Sequence, residues 1–411
     1  MLWQQSPSQV QCAASGPEQE LPVRLLLWAP NGVGLHYNGP GMNAYRMLSN
    51  LTPADPLTVA LAHGYPSQST SDVFAKQHFV APVNGSIASQ AAFIWHGCRW
   101  LSRQRGRFDV FYGLQAFDFT VRPAIAAQKA GIPAIVKVVQ HKADLADRAG
   151  WRRLLGRAKS RREQVADLSG VVAISDAIFE ELVEYGVPER KIARIPNGVD
   201  TDRFRPRTDC AESRAAWNKL GWNDEPTILF VGAVIPRKRP HLLVEALGIL
   251  KSSGISARLI LAGPVREPSY GSRIRQLIDE LGLSDNVVWT GFVPDVARVY
   301  RAADIFSLPS RNEGMPNALL EAMASGLPSV VTGIPGSSDL VRHGQEAIVV
   351  EPTAASVADA LKQYLLSPKL QAEHGAAARK RAVEMFGAKQ ILQRHIRLYQ
   401  RVIQGKDAAD A

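Results

Sequence analysis

Asp304-Ile305-Phe306-Ser307-Leu308-Pro309 is an apolar run, and Ser310 links it to Arg311-Asn312-Glu313-Gly314-Met315-Pro316-Asn317-Ala318-Leu319-Leu320-Glu321-Ala322-Met323-Ala324-Ser325-Gly326-Leu327-Pro328. The first part reads as a short buried strand. Gly314 and Pro316 make a turn, and residues 317–325 read as a helix with Leu319, Leu320 and Met323 as its apolar face. Gly326 stops that helix and Pro328 reinforces the stop. Glu313 then lies in the loop at the carboxyl end of a strand, and Glu321 one turn inside the next helix. In open α/β sheets that rim is where ligands bind. Free N–H groups between Met315 and Ala318 would point at the same spot, which suits a phosphate. Two carboxylates around an anion site fit a ligand rich in hydroxyls, and a nucleotide sugar has that layout. A Glu pair eight residues apart also arises by chance, and Glu321 on so short a helix could be a solvated face residue. The rest of the chain decides between these readings.

The alternation of strand and helix extends outward in both directions. Upstream, buried-strand runs at 23–28, 57–61, 109–112, 134–139 and 170–174 are separated by helix patterns at 42–51, 87–103, 120–130 and 151–168, and a short strand at 192–195 follows. A second series has strands at 227–232, 258–262, 287–289, 305–308, 329–332 and 348–350. Its helices fall at 241–251, 270–281, 296–303, 317–325 and 356–366. Continuous apolar strands alternating with helices predict parallel sheets covered on both faces. The expected fold class is α/β, with two doubly wound Rossmann-like domains facing across a cleft. The expected division is 1–205 for an acceptor-side domain, 206–385 for a nucleotide-sugar domain, and 386–411 for a helix and tail, with the helix broken at Gly387 and open to a return onto the first domain. Residues 1–21 are polar and read as loose.

The 411 residues suit two cores of ordinary size. With 46% hydrophobic and 21% charged residues the chain reads as globular. No apolar run is long enough to span a bilayer, and the first residues lack a secretory pattern. Cys12, Cys98 and Cys210 are scattered and odd in number, so neither a disulfide framework nor a structural zinc is expected, and a reducing cytoplasm is. The net charge of +10 asks for anionic partners. No nucleic-acid-binding pattern accompanies it, so nucleic acid is not expected among them.

Three further strand ends join the carboxylate pair. Phe230-Val231-Gly232-Ala233-Val234-Ile235-Pro236-Arg237-Lys238-Arg239-Pro240 places a basic loop after a strand, where Arg as a fork and Lys as a point charge suit a diphosphate. Leu261-Ala262-Gly263-Pro264 allows close backbone approach. Gly291-Phe292-Val293-Pro294-Asp295 offers backbone groups to a base edge. Together with Pro196-Asn197-Gly198-Val199-Asp200, these pieces make the chain resemble the retaining two-domain GT-B glycosyltransferases, the family-4 group, over roughly residues 22–400.

The resemblance implies metal-independent sugar transfer from a nucleoside diphosphate sugar with retention, and no cofactor. It places Lys238 and Arg237 on the diphosphate, Glu313 on donor-sugar hydroxyls and Glu321 on the ribose diol. Backbone amides from Gly314 through Met315, Pro316 and Asn317 to Ala318 would contact sugar and phosphate. Gly232, Gly263, Phe292 and Val293 would line the nucleotide, and Gly39 to Gly41 would be a glycine loop facing the donor. The chain departs from the family at Ala233, where Arg is common, and at Asp339, where Glu is usual. His141 stands about two residues later than the family's strand-end His and is kept as a candidate catalytic residue.

Arg148, Arg152, Arg153, Arg157, Lys159, Arg161 and Arg162 occur without an acid among them, and Trp151, Leu154, Leu155 and Ala158 recur at helical spacing. This reads either as a solvated basic face or as a helix lying on anionic lipid, next to a sugar or lipid-linked acceptor in cell-envelope or exopolysaccharide synthesis. Trp95 and Trp100 near Arg99, Arg103, Arg105 and Arg107 make a second such face. The expected location is the cytoplasm, or the inner face of the membrane. A dehydrogenase would need a dinucleotide glycine fingerprint that the first strand lacks. A phosphorylase of the same architecture and a non-catalytic sugar-nucleotide binder remain alternatives.

Overall fold

The computed structural model describes residues 22–34, 39–65, 73–145, 159–208 and 225–411. Two parallel sheets organise them. The first runs β3-β2-β1-β4-β5-β6-β7 and the second β10-β9-β8-β11-β12-β13. In the first, β1 is Val23–Ala29, β2 Leu57–His63, β3 Lys76–Phe79, β4 Val110–Gly113, β5 Ala134–Val138, β6 Gly170–Ala173 and β7 Ile192–Arg194. In the second, β8 is Thr227–Val231, β9 Arg258–Ala262, β10 Val287–Gly291, β11 Ile305–Leu308, β12 Ser329–Thr332 and β13 Ala347–Val350. In each sheet the strand order reverses beside the first strand of the series, so a crevice opens at the carboxyl ends there.

The central strands are apolar on both faces, and they are buried on both. Leu25, Leu26, Leu27 and Trp28 of β1 are covered, as are Leu259, Ile260 and Leu261 of β9. Each such side chain contributes about 1.5–3 kcal/mol on burial. Helices α1 (Gly39–Leu48), α2 (Ile87–Leu101), α3 (Asp118–Lys129), α4 (Arg161–Ala166) and α5 (Asp176–Glu184) accompany the first sheet. The Ser86 hydroxyl caps α2 by accepting from Ser89 N–H at 3.2 Å.

The last two helices, Pro368–Phe386 and Ala388–Ile403, meet at Gly387. There Val199 bridges to the joint: Val199 N–H donates to Phe386 O at 2.8 Å and Ala388 N–H to Val199 O at 2.9 Å. The final helix then packs on β1, β4 and α1 of the first sheet. Its buried face includes Ile391, Leu392, His395, Ile396 and Tyr399.

Several elements differ from expectation. β3, Lys-Gln-His-Phe, has no apolar run because it is an edge strand, and α5 carried no expected helix. α1 begins at Gly39 instead of residue 42, so Gly39 and Gly41 belong to its first turn rather than to a loop. The expected helix at 151–168 is not one helix through its second half. Lys159 and Ser160 are non-helical, and Ser160 starts α4 with a capping box to Glu163. Arg148, Trp151, Arg152, Arg153 and Arg157 lie outside the described residues.

Candidate active site

The carboxyl ends of β8 and β11 are neighbours in the second sheet, which brings the basic loop to Glu313. Lys238 Nζ donates to Glu313 Oε1 at 2.7 Å, and Arg237 lies 2.8 Å from Oε2. The Ser310 hydroxyl donates to Oε1 at 3.1 Å. Arg237 also donates to the Asn312 carbonyl, and Arg311 N–H to the Arg237 carbonyl at 2.8 Å. Burial would push the Glu313 carboxyl up, but Lys238 and then Arg237 outweigh it and hold it below the usual glutamate range.

Two glycines make this geometry possible. A Cβ on Gly232 would stand 3.0 Å from Lys238 Cδ, so the lysine stem lies across a bare backbone. A Cβ on Gly263 would stand 1.9 Å from Gly232 O, and Gly263 has φ of 156°. The β8 and β9 loops touch through glycine.

The first domain reaches this rim at several points. A Cβ on Gly314 would be 1.8 Å from Val139 O, in the loop after β5. Asn197 Nδ2 donates to Asn317 Oδ1 at 3.0 Å and to Met315 O at 3.4 Å, and Asn197 N–H approaches Met315 Sδ at 3.2 Å. Asp176 N–H, in the first turn of α5, donates to Asp339 Oδ2 at 3.1 Å. Arg46 of α1 pairs with Glu321, which is buried inside the Asn317–Ala324 helix. The Arg46 guanidinium also lies 5.4 Å from the Phe204 ring centre. Tyr300 OH donates to Ala318 O at 3.0 Å, and burial, followed by Glu321, keeps that phenol well above its usual range.

Most of the expected residues are therefore assembled, with differences. Pro316 is the N-cap of the Asn317–Ala324 helix and has no N–H, so amide donors can come only from Gly314, Met315, Asn317 and Ala318. Glu321, expected on a ribose, is engaged across the gap by Arg46. Phe292 and Val293 follow β10 at the sheet's edge, and the Phe292 ring is exposed. His141 lies two residues beyond Val139, but its ring faces α5, with Nε2 3.9 Å from Glu181 Oε2. Among the described residues no hydrogen bond joins it to Glu313, Lys238 or Arg237. Arg46 carried no sequence signal for a site role. Lys137 did carry one, a cation inside the apolar run of β5, and it was passed over.

Among the described residues no three His, Cys, Asp or Glu side chains are grouped to hold a metal. No described helix is long and apolar enough to cross a membrane.

Two doubly wound domains with facing strand ends define the GT-B glycosyltransferase fold. The glycosyl transferases group 1 model matches residues 213–381, and the glycosyltransferase family 4 model matches residues 37–203. The chain belongs to this glycosyltransferase family. It is 29% identical over 241 residues to the GDP-mannose-dependent alpha-(1-6)-phosphatidylinositol monomannoside mannosyltransferase of Mycobacterium tuberculosis, a match covering 56% of this chain and 61% of that protein. It is 32% identical to the D-inositol 3-phosphate glycosyltransferase of Kineococcus radiotolerans, with 62% of each covered. The match spans less than two thirds of the length of either relative. Among solved structures, Anabaena HepE in complex with UDP and glucose superposes with a TM-score of 0.74 at 18% identity, covering 92% of this chain and 99% of that one. A glycosyltransferase from Rickettsia africae superposes at 0.77 and 17% identity, covering 93% and 99%.

Proposed function

We propose that this chain transfers a sugar from a nucleoside diphosphate sugar to an acceptor, with retention at the anomeric carbon and without a metal ion. One observation carries the reading: Lys238 and Arg237 converge on Glu313 at the rim of the second sheet, beside the first turn of the Asn317–Ala324 helix. Departure of the diphosphate builds negative charge. Two cations and helix-terminal amides are preset to receive it, which lowers the barrier without reorganisation. A donor sugar lying on Glu313 would give its hydroxyls a carboxylate acceptor.

The acceptor is proposed to be a polar or lipid-linked alcohol reached from the first domain. The relatives' names speak for variety: one acts on a phosphatidylinositol monomannoside, another on inositol 3-phosphate. Attack then comes from the face that the diphosphate leaves, and the proton is proposed to pass to a leaving phosphate oxygen.

The test is release of free UDP or GDP from a panel of nucleotide sugars with lipid-linked and soluble acceptors, with and without excess EDTA. Acceptor-dependent release that survives EDTA is expected. Release abolished by EDTA and restored by Mg²⁺ or Mn²⁺ would remove the metal-free step. No release with any donor, despite a folded protein that binds nucleotide, would leave a sugar-nucleotide binder as the better reading.

A further inference from the structure

Lys137 is the next-to-last residue of β5 and is buried. Its ammonium donates to Asn197 Oδ1 at 2.8 Å and, at 3.4 Å, to Asn43 Oδ1. Asn43 is on α1, and its own Nδ2 donates to Gly198 O at 3.2 Å. From the final helix, His395 faces the lysine, with Tyr112 of β4 and Tyr399 packed against the imidazole at ring distances of 5.4 and 5.9 Å. His395 and both phenols are buried, and burial followed by Lys137 holds the imidazole well below its usual range, so it is neutral. Among the described residues no carboxylate is paired with Lys137.

A charged lysine can only donate, and while Lys137 is protonated that fixes the direction of the bonds beyond it. Asn197 must turn its oxygen to Lys137. Its Nδ2 then donates onward to Asn317 Oδ1 and Met315 O. Asn317 spends its oxygen on that bond, so its own Nδ2 hydrogens are left for another acceptor. Asn317 is the first residue of the helix that carries Glu321, and Glu313 lies four residues earlier. A buried cation of the first domain thus sets the polarity of a side chain at the rim of the second.

We propose that Lys137 is a positioning residue for the donor diphosphate: through Asn197 it orients the Asn317 amide so that a donor N–H, not an oxygen, meets the phosphate oxygens. This deepens the reading of the site as a nucleoside diphosphate site and rests on it. The same relay makes nucleotide binding depend on pH. Burial lowers Lys137 to about 7. An anion at the far end of the relay favours its charged form, so affinity is greatest below that value and falls as pH rises through it.

The test is calorimetric binding of bare UDP and of bare GDP between pH 6.5 and 8.5. In the wild type, affinity for the nucleotide that binds should fall several-fold over that range. Lys137→Met should bind about tenfold more weakly at pH 6.5 and should lose the extra pH dependence. Asn197→Asp retains a partner for Lys137, so it guards against simple misfolding. It should bind weakly at every pH, because an aspartate cannot donate to Asn317, and any remaining pH midpoint should move upward, because the lysine is now paired with a carboxylate. Folded Lys137→Met with wild-type affinity and wild-type pH slope overturns the relay alone. Failure of the wild type to bind either nucleotide overturns the site reading and the relay with it.

Discussion

Charge is organised differently on the two sides of the gap. On the second domain, Glu313, Arg237, Lys238 and Ser310 come from the ends of adjacent strands and satisfy one another within a single rim. On the first domain, two cations are tied to the opposite one. Arg46 finds its carboxylate on Glu321 of the opposite domain, and Lys137 reaches that domain only through Asn197. The second domain therefore presents a preset anion site whether or not the gap is closed. The first domain contributes only when the two faces meet, so it is suited to report closure.

Arg46→Ala should break that contrast most severely. It leaves Glu321 buried with no cation, a change that costs about 3–5 kcal/mol when one member of a buried pair is lost. Denaturation should show the loss, and a double-mutant cycle with Glu321→Gln should return a large coupling energy. Additive effects of the two changes would mean that Arg46 and Glu321 do not hold the domains together.

Two glycine replacements sharpen the comparison at somewhat smaller cost. Gly263→Ala drives a Cβ into Gly232 O inside the second domain, and overpacking of this kind costs about 1–3 kcal/mol, or more where backbone must move. Its melting temperature should fall. Gly314→Ala drives a Cβ into Val139 O between the domains, which can separate instead of deforming. Turnover should fall strongly while the melting temperature changes less. Equal thermal losses in the two variants would show that the interface is as rigid as the core.

The same division explains what could be read from residues alone. The second domain was legible because each of its site groups lies in one strand-end loop. An apolar run, a glycine and a basic or acidic residue announce it locally. The final helix break was legible at Gly387. The Arg46–Glu321 pair was not, because the partners are 275 positions apart and Arg46 has no local pattern. β3 was hidden because an edge strand needs no apolar run. The continuous basic helix through Arg162 was overread. Lys159 and Ser160 are non-helical and Ser160 starts a new helix, while 151–158 lie outside the described residues, and the three described cations all have partners: Lys159 with Asp167, Arg161 with Asp118, and Arg162 over the Tyr185 ring.

Within the preset rim, Lys238→Ala should cost more nucleotide affinity than Lys238→Arg, since charge at the phosphates matters more than shape. A lost charged donor is worth about 1.5–3 kcal/mol. Glu313→Gln should move two quantities in opposite directions: it frees Lys238 and Arg237, so bare UDP or GDP binds more tightly, while turnover falls. Its pH dependence follows from sign. The folded Glu313 value lies below the unfolded one, so its stabilisation is complete above about pH 4.3 and is lost as pH falls through the folded value. The stability gap between wild type and Glu313→Gln should shrink in acid. A gap that widens there would place the carboxylate in a different ionic environment.

The weakest expected effect concerns a membrane surface; most of the basic stretch, 148–158, lies outside the described residues, which leaves the second expected face, on α2, as the one that can be described. Reversing Arg161 would break its 3.0 Å pair with Asp118 and its 2.6 Å bond to the Asp144 carbonyl, so such a variant tests folding and not docking. That second face is α2. Ile87 and Trp95 are exposed there, and they line an open groove of about 570 Å³ with Ile94, Arg99, Arg122 and Asp118, the last of which is paired with Arg161. Arg99 lies 5.7 Å from the Trp95 ring, and α2 carries no acidic residue. Apolar side chains among cations complement an anionic lipid surface, each cation near it contributing about 1 kcal/mol. The protein should sediment with anionic vesicles at low salt and not with neutral ones. Binding should weaken as the Debye length falls from about 10 Å at 0.1 M to about 3 Å at 1 M. Trp95→Ser with Arg99→Glu should release it at unchanged melting temperature, because both side chains face solvent. Equal sedimentation of this double variant would clear α2 of the role, and absence of wild-type binding at low salt would favour a soluble acceptor.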